Sequence, residues 1–392
     1  MASTTDARDG TYFLDAARAL APKIIELRGA IERERTLPHE LVTTMANAGF
    51  FSMWRARALG GPELSFPDFA RVIEELSRAD GSVGWCTMVS VVLSRLSGYL
   101  DEKVAREIFG DAGTIVAGSV NPSGKAVAVP GGFRVSGRWS YGSFVQHSKW
   151  TAGNSIVHDG DAPRRDANGA PDIRFMFMPT KEVEILDNWY VFGLKGTGSN
   201  DFQVHDLFVA EDHALPAFTT KPTQPGTLYA TPLISIFAAS LPTASFGIAR
   251  AAIDAFVTLA ETKAPMGSTA RLRDKPTAQA DVGRAEALLR SARAFLFESV
   301  EELWNEAAFG RPPTLRQRAI VRLAAAHAAA ASAQAVDLLY NSAGGTALFE
   351  SNRLERCFRD VHATTQHIGT SANNFELGGR VLLGLDPGTP RF

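Results

Sequence analysis

Hydrophobic residues near the N-terminus recur at alternating steps of four and three, the spacing of one face of an α-helix. Further helical patterns follow Pro38 and Pro67, and Asp80 is the expected N-cap of a more apolar helix. A short amphipathic helix is predicted over 101–110, and residues 1–112 are therefore predicted to form an all-helical domain. The first pattern consists of Phe13, Ala17, Leu20, Ile24, Leu27 and Ile31.

The pattern changes to short β-like runs over residues 113–215. Examples are TIVAGSV, FRVSG, IRFMFM and FQVHDLFV, and the residues between such runs are rich in Gly, Pro, Asn and Asp. These residue types favour turns between strands. The middle of the chain is therefore predicted to be a small antiparallel β barrel or sandwich.

Helical periodicity returns in residues 216–392, where four long segments cover about 232–262, 276–307, 314–343 and 354–383. Four antiparallel helices of this length predict a bundle, and the alanine-rich third segment permits close helix approach. The predicted fold class is mainly α with a central β domain. Its order is an N-terminal helical domain, an antiparallel β barrel or sandwich, and a C-terminal four-helix bundle.

Composition and charge exclude several classes of protein. The 392 residues are 45% hydrophobic and 21% charged with a net charge of −2, which gives no support for a nucleic-acid or anionic-membrane partner. Cys86 and Cys357 are too few for a disulfide framework, and no Cys/His set has zinc-ligand spacing. The polar start MASTTDARDG is no secretory signal, and Arg95 interrupts the apolar stretch Val83–Leu100, so a cytoplasmic protein without a membrane span is expected.

Common catalytic motifs do not occur in the chain. It has no GxGxxG at a strand–helix junction, no GxxxxGK[ST], no HExxH and no GxSxG. These motifs mark nicotinamide-binding Rossmann domains, P-loops, zinc proteases and α/β-hydrolases. All four classes are therefore disfavoured.

Four segments in this order resemble the acyl-CoA dehydrogenase superfamily. They are DGSVGW (Asp80–Trp85), GRWSYGSFVQHSKW (Gly137–Trp150), WYVFGLKGTGSNDFQVHDLFVAED (Trp189–Asp212) and AGGTALFESNRLERCFRDVHATTQHIGTS (Ala343–Ser371). The resemblance extends over nearly the whole chain. It implies a flavin-binding oxidoreductase of that fold.

The last segment departs from true dehydrogenases, which commonly place a glutamate base just before its Gly-Thr pair. Ile368 stands there, before Gly369 and Thr370, and cannot abstract a proton. His367 and the GRW-x-x-x-S pattern instead resemble the two-component flavin monooxygenases. That branch includes the oxygenase components of p-hydroxyphenylacetate, secosteroid and dibenzothiophene monooxygenases. The resemblance implies reduced FAD or FMN from a separate NAD(P)H:flavin reductase, O₂ chemistry through a flavin C4a-hydroperoxide, and a homotetramer.

The same resemblance suggests roles for individual residues. Ser143 would lie beside the flavin N5/C4a edge as a hydrogen-bond donor, and His367, with an ordinary pKa of about 6.5, would exchange protons near neutral pH. The backbone N–H groups of the loop 196–199 would suit a flavin phosphate. The cofactor-binding candidates are Ser143, Trp139, Gly196, Thr197, Ser199, Arg271, Gly344, Gly345 and Thr370. The substrate-pocket candidates are Trp85, Val89, Leu93, His367 and Ile368.

The substrate stays open at this level. Several phenol-hydroxylating members carry a histidine in the helix after the DGSVGW-like segment, but Cys86–Leu100 has none, and Leu93 stands near the expected place. An electron-rich ring that needs no deprotonation, such as an indole, therefore fits better than a phenol, and an amine or sulfur substrate is the alternative. Two other hypotheses are an FAD-dependent acyl-CoA dehydrogenase-type enzyme with a relocated base, and a helical scaffold that binds no flavin.

Overall fold

A computed structural model of the chain describes residues 8–165, 169–217, 220–389 and 392. The first of these ranges opens with five α-helices, in the positions that the hydrophobic pattern predicts. They are α1 (Gly10–Glu34), α2 (His39–Ala48), α3 (Phe66–Ala79), α4 (Gly81–Ser94) and α5 (Glu102–Phe109).

Side-chain caps set where these helices start. The Asp9 carboxylate accepts the backbone N–H of Tyr12, and the Asp80 carboxylate accepts those of Ser82 and Val83. The predicted cap at Asp80 is thus confirmed. Asp80 is fully buried, so the start of α4 lies inside the protein rather than at its surface.

The described residues contain eight strands in one sheet, in the order β6-β7-β2-β1-β3-β5-β8, with β4 paired to β3. One ladder corrects the prediction of purely antiparallel pairing, because β1 and β3 run parallel from the Val116–Trp150 pair onward. Parallel neighbours need a crossover connection, and β2 with the loop 140–149 supplies it. The strands are β1 (Val116–Val129), β2 (Gly132–Trp139), β3 (Trp150–Asp159), β4 (Ala162–Pro163), β5 (Ile173–Pro179), β6 (Glu184–Leu186), β7 (Asp201–Ala210) and β8 (Ala214–Pro216).

The bundle helices follow a short α6 and agree with the predicted segments except at the end. The predicted fourth helix is broken over 366–372, where the Gly369 N–H donates to Nδ1 of His367 and the Thr370 N–H donates to the His367 carbonyl. Such local bonds compete with the helical pattern. The helices are α6 (Thr227–Ala230), α7 (Leu233–Thr262), α8 (Pro276–Ala308), α9 (Leu315–Ala343), α10 (Arg353–Thr365) and α11 (Asn373–Leu382).

Two segments of the bundle, Leu233–Thr262 and Leu315–Leu348, are long and apolar enough to cross a membrane. In the described structure 89% and 67% of their most apolar windows are buried inside the protein. Helices at the core of a folded bundle are likewise long, apolar and mostly buried. The overall fold class, mainly α with a central β domain, is as predicted.

A glycine allows the chain before β7 to touch α10. A Cβ at Gly193 would lie 2.0 Å from the carbonyl oxygen of Arg359. We expect Gly193→Ala to lower the free energy of unfolding by about 1–3 kcal/mol, the usual range for overpacking. Gly283→Ala, on the exposed face of α8 with no atom within 4 Å of the added Cβ, should raise it by about 0.5–1 kcal/mol. Urea unfolding measures both; a Gly193 variant as stable as the wild type would contradict the contact.

Candidate active site

Three elements meet beside the crossover loop: α4, the loop itself and the turn before β7. The indole N–H of Trp85 donates to Oγ of Ser143 over 3.3 Å. The hydroxyl oxygens of Ser143 and Ser199 lie 2.7 Å apart. Both serines and the tryptophan are buried. The structure therefore brings together three candidates that the sequence places far apart.

The hydroxyl groups continue as a hydrogen-bonded chain. Oγ of Ser199 lies 2.7 Å from Oγ1 of Thr197, and the Thr197 hydroxyl donates to the carbonyl of Leu194 over 2.8 Å. Each hydroxyl has one proton. Because Thr197 donates to Leu194, Ser199 must donate to Thr197 and Ser143 must donate to Ser199. The expected donor role of Ser143 is therefore corrected: its oxygen accepts from Trp85 and keeps one further lone pair.

His367 lies between two aromatic rings. The centroid of its ring is 6.0 Å from that of Trp85 and 5.6 Å from that of Phe237, both edge to face. Burial lowers its pKa to about 4. Nδ1 accepts the Gly369 N–H over 3.0 Å, which places the proton of the neutral ring on Nε2. The expectation of an ordinary pKa is thus corrected, and at neutral pH His367 is a hydrogen-bond donor through Nε2.

The predicted pocket residues on α4 share one helix face. Trp85, Val89 and Leu93 are spaced by four residues, which stacks them one above another. Trp85 and Leu93 are each 7% exposed, and Val89 is partly buried. Ile368 lies in the break between α10 and α11 with its side chain 62% exposed. Its aliphatic side chain cannot take a proton.

Phe237 is a further residue of the site, and the sequence patterns do not reveal it. It is a partly buried residue of α7 that packs against His367. Its periodicity only marks it as one of many apolar positions on a long bundle helix, so no local signal separates it from the core. Phe237 and Trp85 together make the apolar surroundings that lower the pKa of His367.

Trp139 belongs to the interior of the sheet. It is fully buried, its indole N–H donates to the Asn154 carbonyl over 2.6 Å, and its ring stacks on Phe202 at 5.3 Å. The side chain thus has its partners within the β domain. Its predicted contact with the cofactor is not supported.

The turn 195–199 is closely packed and internally hydrogen-bonded. A Cβ on Gly196 would lie 2.1 Å from Cγ2 of Ile31, so this glycine permits packing against α1. The N–H groups of Thr197 and Gly198 donate to the carbonyls of Leu194 and Lys195 within the turn. These two amides are therefore not free to bind a phosphate. The turn instead supplies the hydroxyl groups of the chain described above.

The other cofactor-binding candidates lie in separate places. Thr370 is buried, and its hydroxyl contacts the His367 carbonyl over 3.1 Å. Arg271 is exposed before a short 3₁₀ turn, and Gly344 and Gly345 are exposed at the end of α9. Within the described residues, these last three make no contact with Ser143 or His367. Their role would depend on the cofactor or on another subunit.

A flavin fits the chemistry of this cluster. Its ring system is a large apolar plane with a polar nitrogen edge, and the cluster offers aromatic side chains beside one accepting serine oxygen and one donating imidazole. The fold and the site together define a flavin-dependent oxidoreductase.

Comparisons with known proteins agree with this class. The family described as "Acyl-CoA dehydrogenase, N-terminal domain" matches residues 9–105, and "Acyl-CoA dehydrogenase, C-terminal domain" matches residues 239–372. The chain is 32% identical to the indole-3-acetate monooxygenase of Pseudomonas putida, covering 92% of this chain and 90% of that relative.

Two further relatives are also oxygenases by name. The chain is 28% identical to the FADH(2)-dependent resorcinol hydroxylase, oxygenase component, of a Rhizobium species, covering 91% of this chain and 90% of the relative. The crystal structure of the HsaA monooxygenase from M. tuberculosis matches with a TM-score of 0.89 at 27% identity, covering 98% of this chain and 100% of that one. The chain belongs to the acyl-CoA dehydrogenase superfamily, in its branch of flavin-dependent monooxygenases. The resemblance seen in the sequence is confirmed, and a flavin is the cofactor.

Proposed function

We propose that this protein is the oxygenase component of a two-component flavin monooxygenase that hydroxylates a small aromatic or heteroaromatic compound, with an indole as the favoured ring. The observation that carries the proposal is a neutral His367 set between Trp85 and Phe237. Ile368 stands where a dehydrogenase would carry its base. Two relatives named for indole-3-acetate and resorcinol support an aromatic substrate.

The side chains have distinct tasks in this proposal. When bound, reduced flavin would supply the electrons and the reactivity towards O₂. Ser143 offers its free lone pair to the polar edge of the flavin, while Trp85, Val89 and Leu93 exclude water from the pocket. Nε2–H of His367 donates a hydrogen bond to an oxygen atom of the substrate or product and so orients the ring. These roles need no charged group in the pocket, which suits an apolar heterocycle.

The proposal includes partners and assembly. A separate NAD(P)H:flavin reductase would supply FADH₂ or FMNH₂, in keeping with the words "oxygenase component" in the name of the Rhizobium relative. We propose a cytoplasmic homotetramer. Four exposed apolar side chains offer surface for another subunit to cover, because exposed apolar residues often mark contacts. They are Tyr190, Phe192, Leu348 and Phe349, each 59–69% exposed.

The proposed domain boundaries are 1–112, 113–215 and 216–392. The first lies between the end of α5 at Phe109 and the start of β1 at Val116. The second falls in β8, one residue before its last residue, Pro216. Changes from helix to strand and back support both positions.

The function is tested with a reconstituted reaction. The protein is mixed with NADH, a flavin reductase, FAD or FMN, and a panel of indoles, phenols and amines in air. We expect one added oxygen atom in an indole product, by mass spectrometry, only when reductase and flavin are both present. No product from the panel in protein that binds reduced flavin would contradict the proposal. Bleaching of tightly bound oxidised FAD by an acyl-CoA without air would favour a dehydrogenase instead.

A further inference from the structure

The hydroxyl chain at Ser143 is anchored at its far end by a buried carboxylate. The Leu194 carbonyl accepts the Thr197 hydroxyl, and the N–H of Leu194 donates to Oδ1 of Asp360 over 2.7 Å. Asp360 is 2% exposed and lies on α10. Leu194 itself has the left-handed φ of 52°, so its conformation depends on the contacts that hold it. The chain therefore runs from Ser143 through Ser199, Thr197 and Leu194 to Asp360 on α10.

A second contact ties the other end of the chain to the same helix. Arg356 on α10 pairs with Asp80, Nη2 to Oδ2 at 2.7 Å, and its Nε lies 3.7 Å from Oδ2 of Asp360. Asp80 caps α4, which carries Trp85. All three side chains are less than 10% exposed. Removing either carboxyl partner would leave the buried Arg356 guanidinium less well paired, which is costly, so the network holds its geometry.

The direction of the chain decides what Ser143 offers to a ligand. Its proton points to Ser199, away from the site, and its remaining lone pair can only accept. A reduced flavin has a hydrogen on N5, whereas an oxidised flavin has only a lone pair there. The Ser143 oxygen can therefore accept a hydrogen bond from N5–H of reduced flavin. With oxidised flavin it would face the N5 lone pair, and the two lone pairs would repel each other.

On this basis, and resting on the flavin site proposed above, we propose that Thr197 and Asp360 are positioning residues. They fix the polarity of the chain Ser143–Ser199–Thr197–Leu194, and through it they make the protein prefer reduced over oxidised flavin. Neither side chain needs to touch the flavin. A purely structural turn would give the protein stability but no such preference.

The test is the ratio of dissociation constants for oxidised and reduced FAD, measured by anaerobic titration of the full-length protein. Thr197→Val keeps the shape but removes the proton acceptor of Ser199, so that Ser199 and Ser143 can reverse and Ser143 can donate. We expect the ratio to fall by about tenfold, the effect of one hydrogen bond. Ser199→Ala interrupts the same chain and should lower the ratio too, which covers a Thr197 variant that fails to fold.

Thr151→Val is the matched control. Thr151 is also fully buried and donates its hydroxyl to a carbonyl, that of Met178, but lies in β3 away from the chain. Its ratio should stay within about twofold of the wild type, because its loss affects stability alone. An unchanged ratio in folded Thr197 and Ser199 variants would overturn the inference, as would an equal fall in the control.

Hydrogen exchange tests the anchor without a flavin. Asp360→Ala removes the acceptor of the Leu194 N–H, and we expect amides of residues 193–199 to exchange about tenfold faster or more, with the flavin ratio lowered as well. Exchange at the wild-type rate in the folded variant would overturn the role of Asp360. A wild-type protein that binds neither form of FAD or FMN would instead overturn the proposed function, so the two failures are distinguishable.

Discussion

Replacing Ser143 with alanine is expected to weaken the binding of reduced flavin by about tenfold to a hundredfold and to divert oxygen into hydrogen peroxide. The variant loses the oxygen that faces the site, and it leaves the indole N–H of Trp85 without its acceptor and the oxygen of Ser199 without its donor. The weaker flavin binding and the release of peroxide both follow from the loss of Oγ of Ser143. The measurements are an anaerobic reduced-flavin titration and the ratio of peroxide to hydroxylated product.

Ser148→Ala is the control for this prediction. Ser148 lies in the same crossover loop, and its hydroxyl donates to the Val145 carbonyl and contacts Thr180 rather than the cluster. We expect its flavin affinity and peroxide ratio to match the wild type. If Ser143→Ala binds reduced flavin as tightly as this control, Ser143 does not contact the cofactor.

Replacing His367 with alanine is expected to lower the rate of hydroxylation by about a hundredfold, the usual cost of misplacing a substrate in the site. The change removes the Nε2–H donor and opens the space between Trp85 and Phe237. Binding of reduced flavin should change far less, because Ser143 and its partners stay in place. Single-turnover hydroxylation and flavin titration separate the two effects. His362→Ala, the same change at a histidine of α10 whose ring contacts Asp337, should keep the wild-type rate.

The lowered pKa of His367 adds a pH signature. The imidazole goes from an ordinary pKa of 6.5 to about 4 in the folded protein, so the unfolded chain takes up the proton first as the pH falls. The stability linked to this residue is therefore complete above pH 6.5 and is lost as the pH falls towards 4. Urea unfolding of the apoprotein should show this loss, and His367→Gln should reduce it. Hydroxylation that titrates with His367 near neutral pH would contradict the assigned protonation state.

Helix positions were largely predictable from the sequence because their signals are local. The apolar spacing of α1 and the cap at Asp80 each depend on a few neighbouring residues. The break after Thr365 was missed, since it depends on bonds that the His367 ring and carbonyl accept from Gly369 and Thr370. The parallel β1–β3 ladder was missed for a related reason: strand direction follows the path of the chain, which alternation along one strand does not reveal.

The candidate site was predictable as a set of residues but not as an arrangement. Motifs pointed to Ser143, Ser199 and His367, and the structure places the two serines in contact. The direction of the hydroxyl chain depends on Leu194 and Asp360, 166 residues apart in the sequence. The lowered pKa of His367 depends on packing that no spacing of residues encodes.

The central claim, that this enzyme inserts an oxygen atom from O₂ into an aromatic ring with a reduced flavin, is tested most directly by isotopic labelling. The wild-type protein is supplied with reduced flavin and an indole substrate under ¹⁸O₂ in ordinary water. We expect one ¹⁸O atom in each molecule of hydroxylated product. A product that carries oxygen from water, or one formed equally well without O₂, would contradict it.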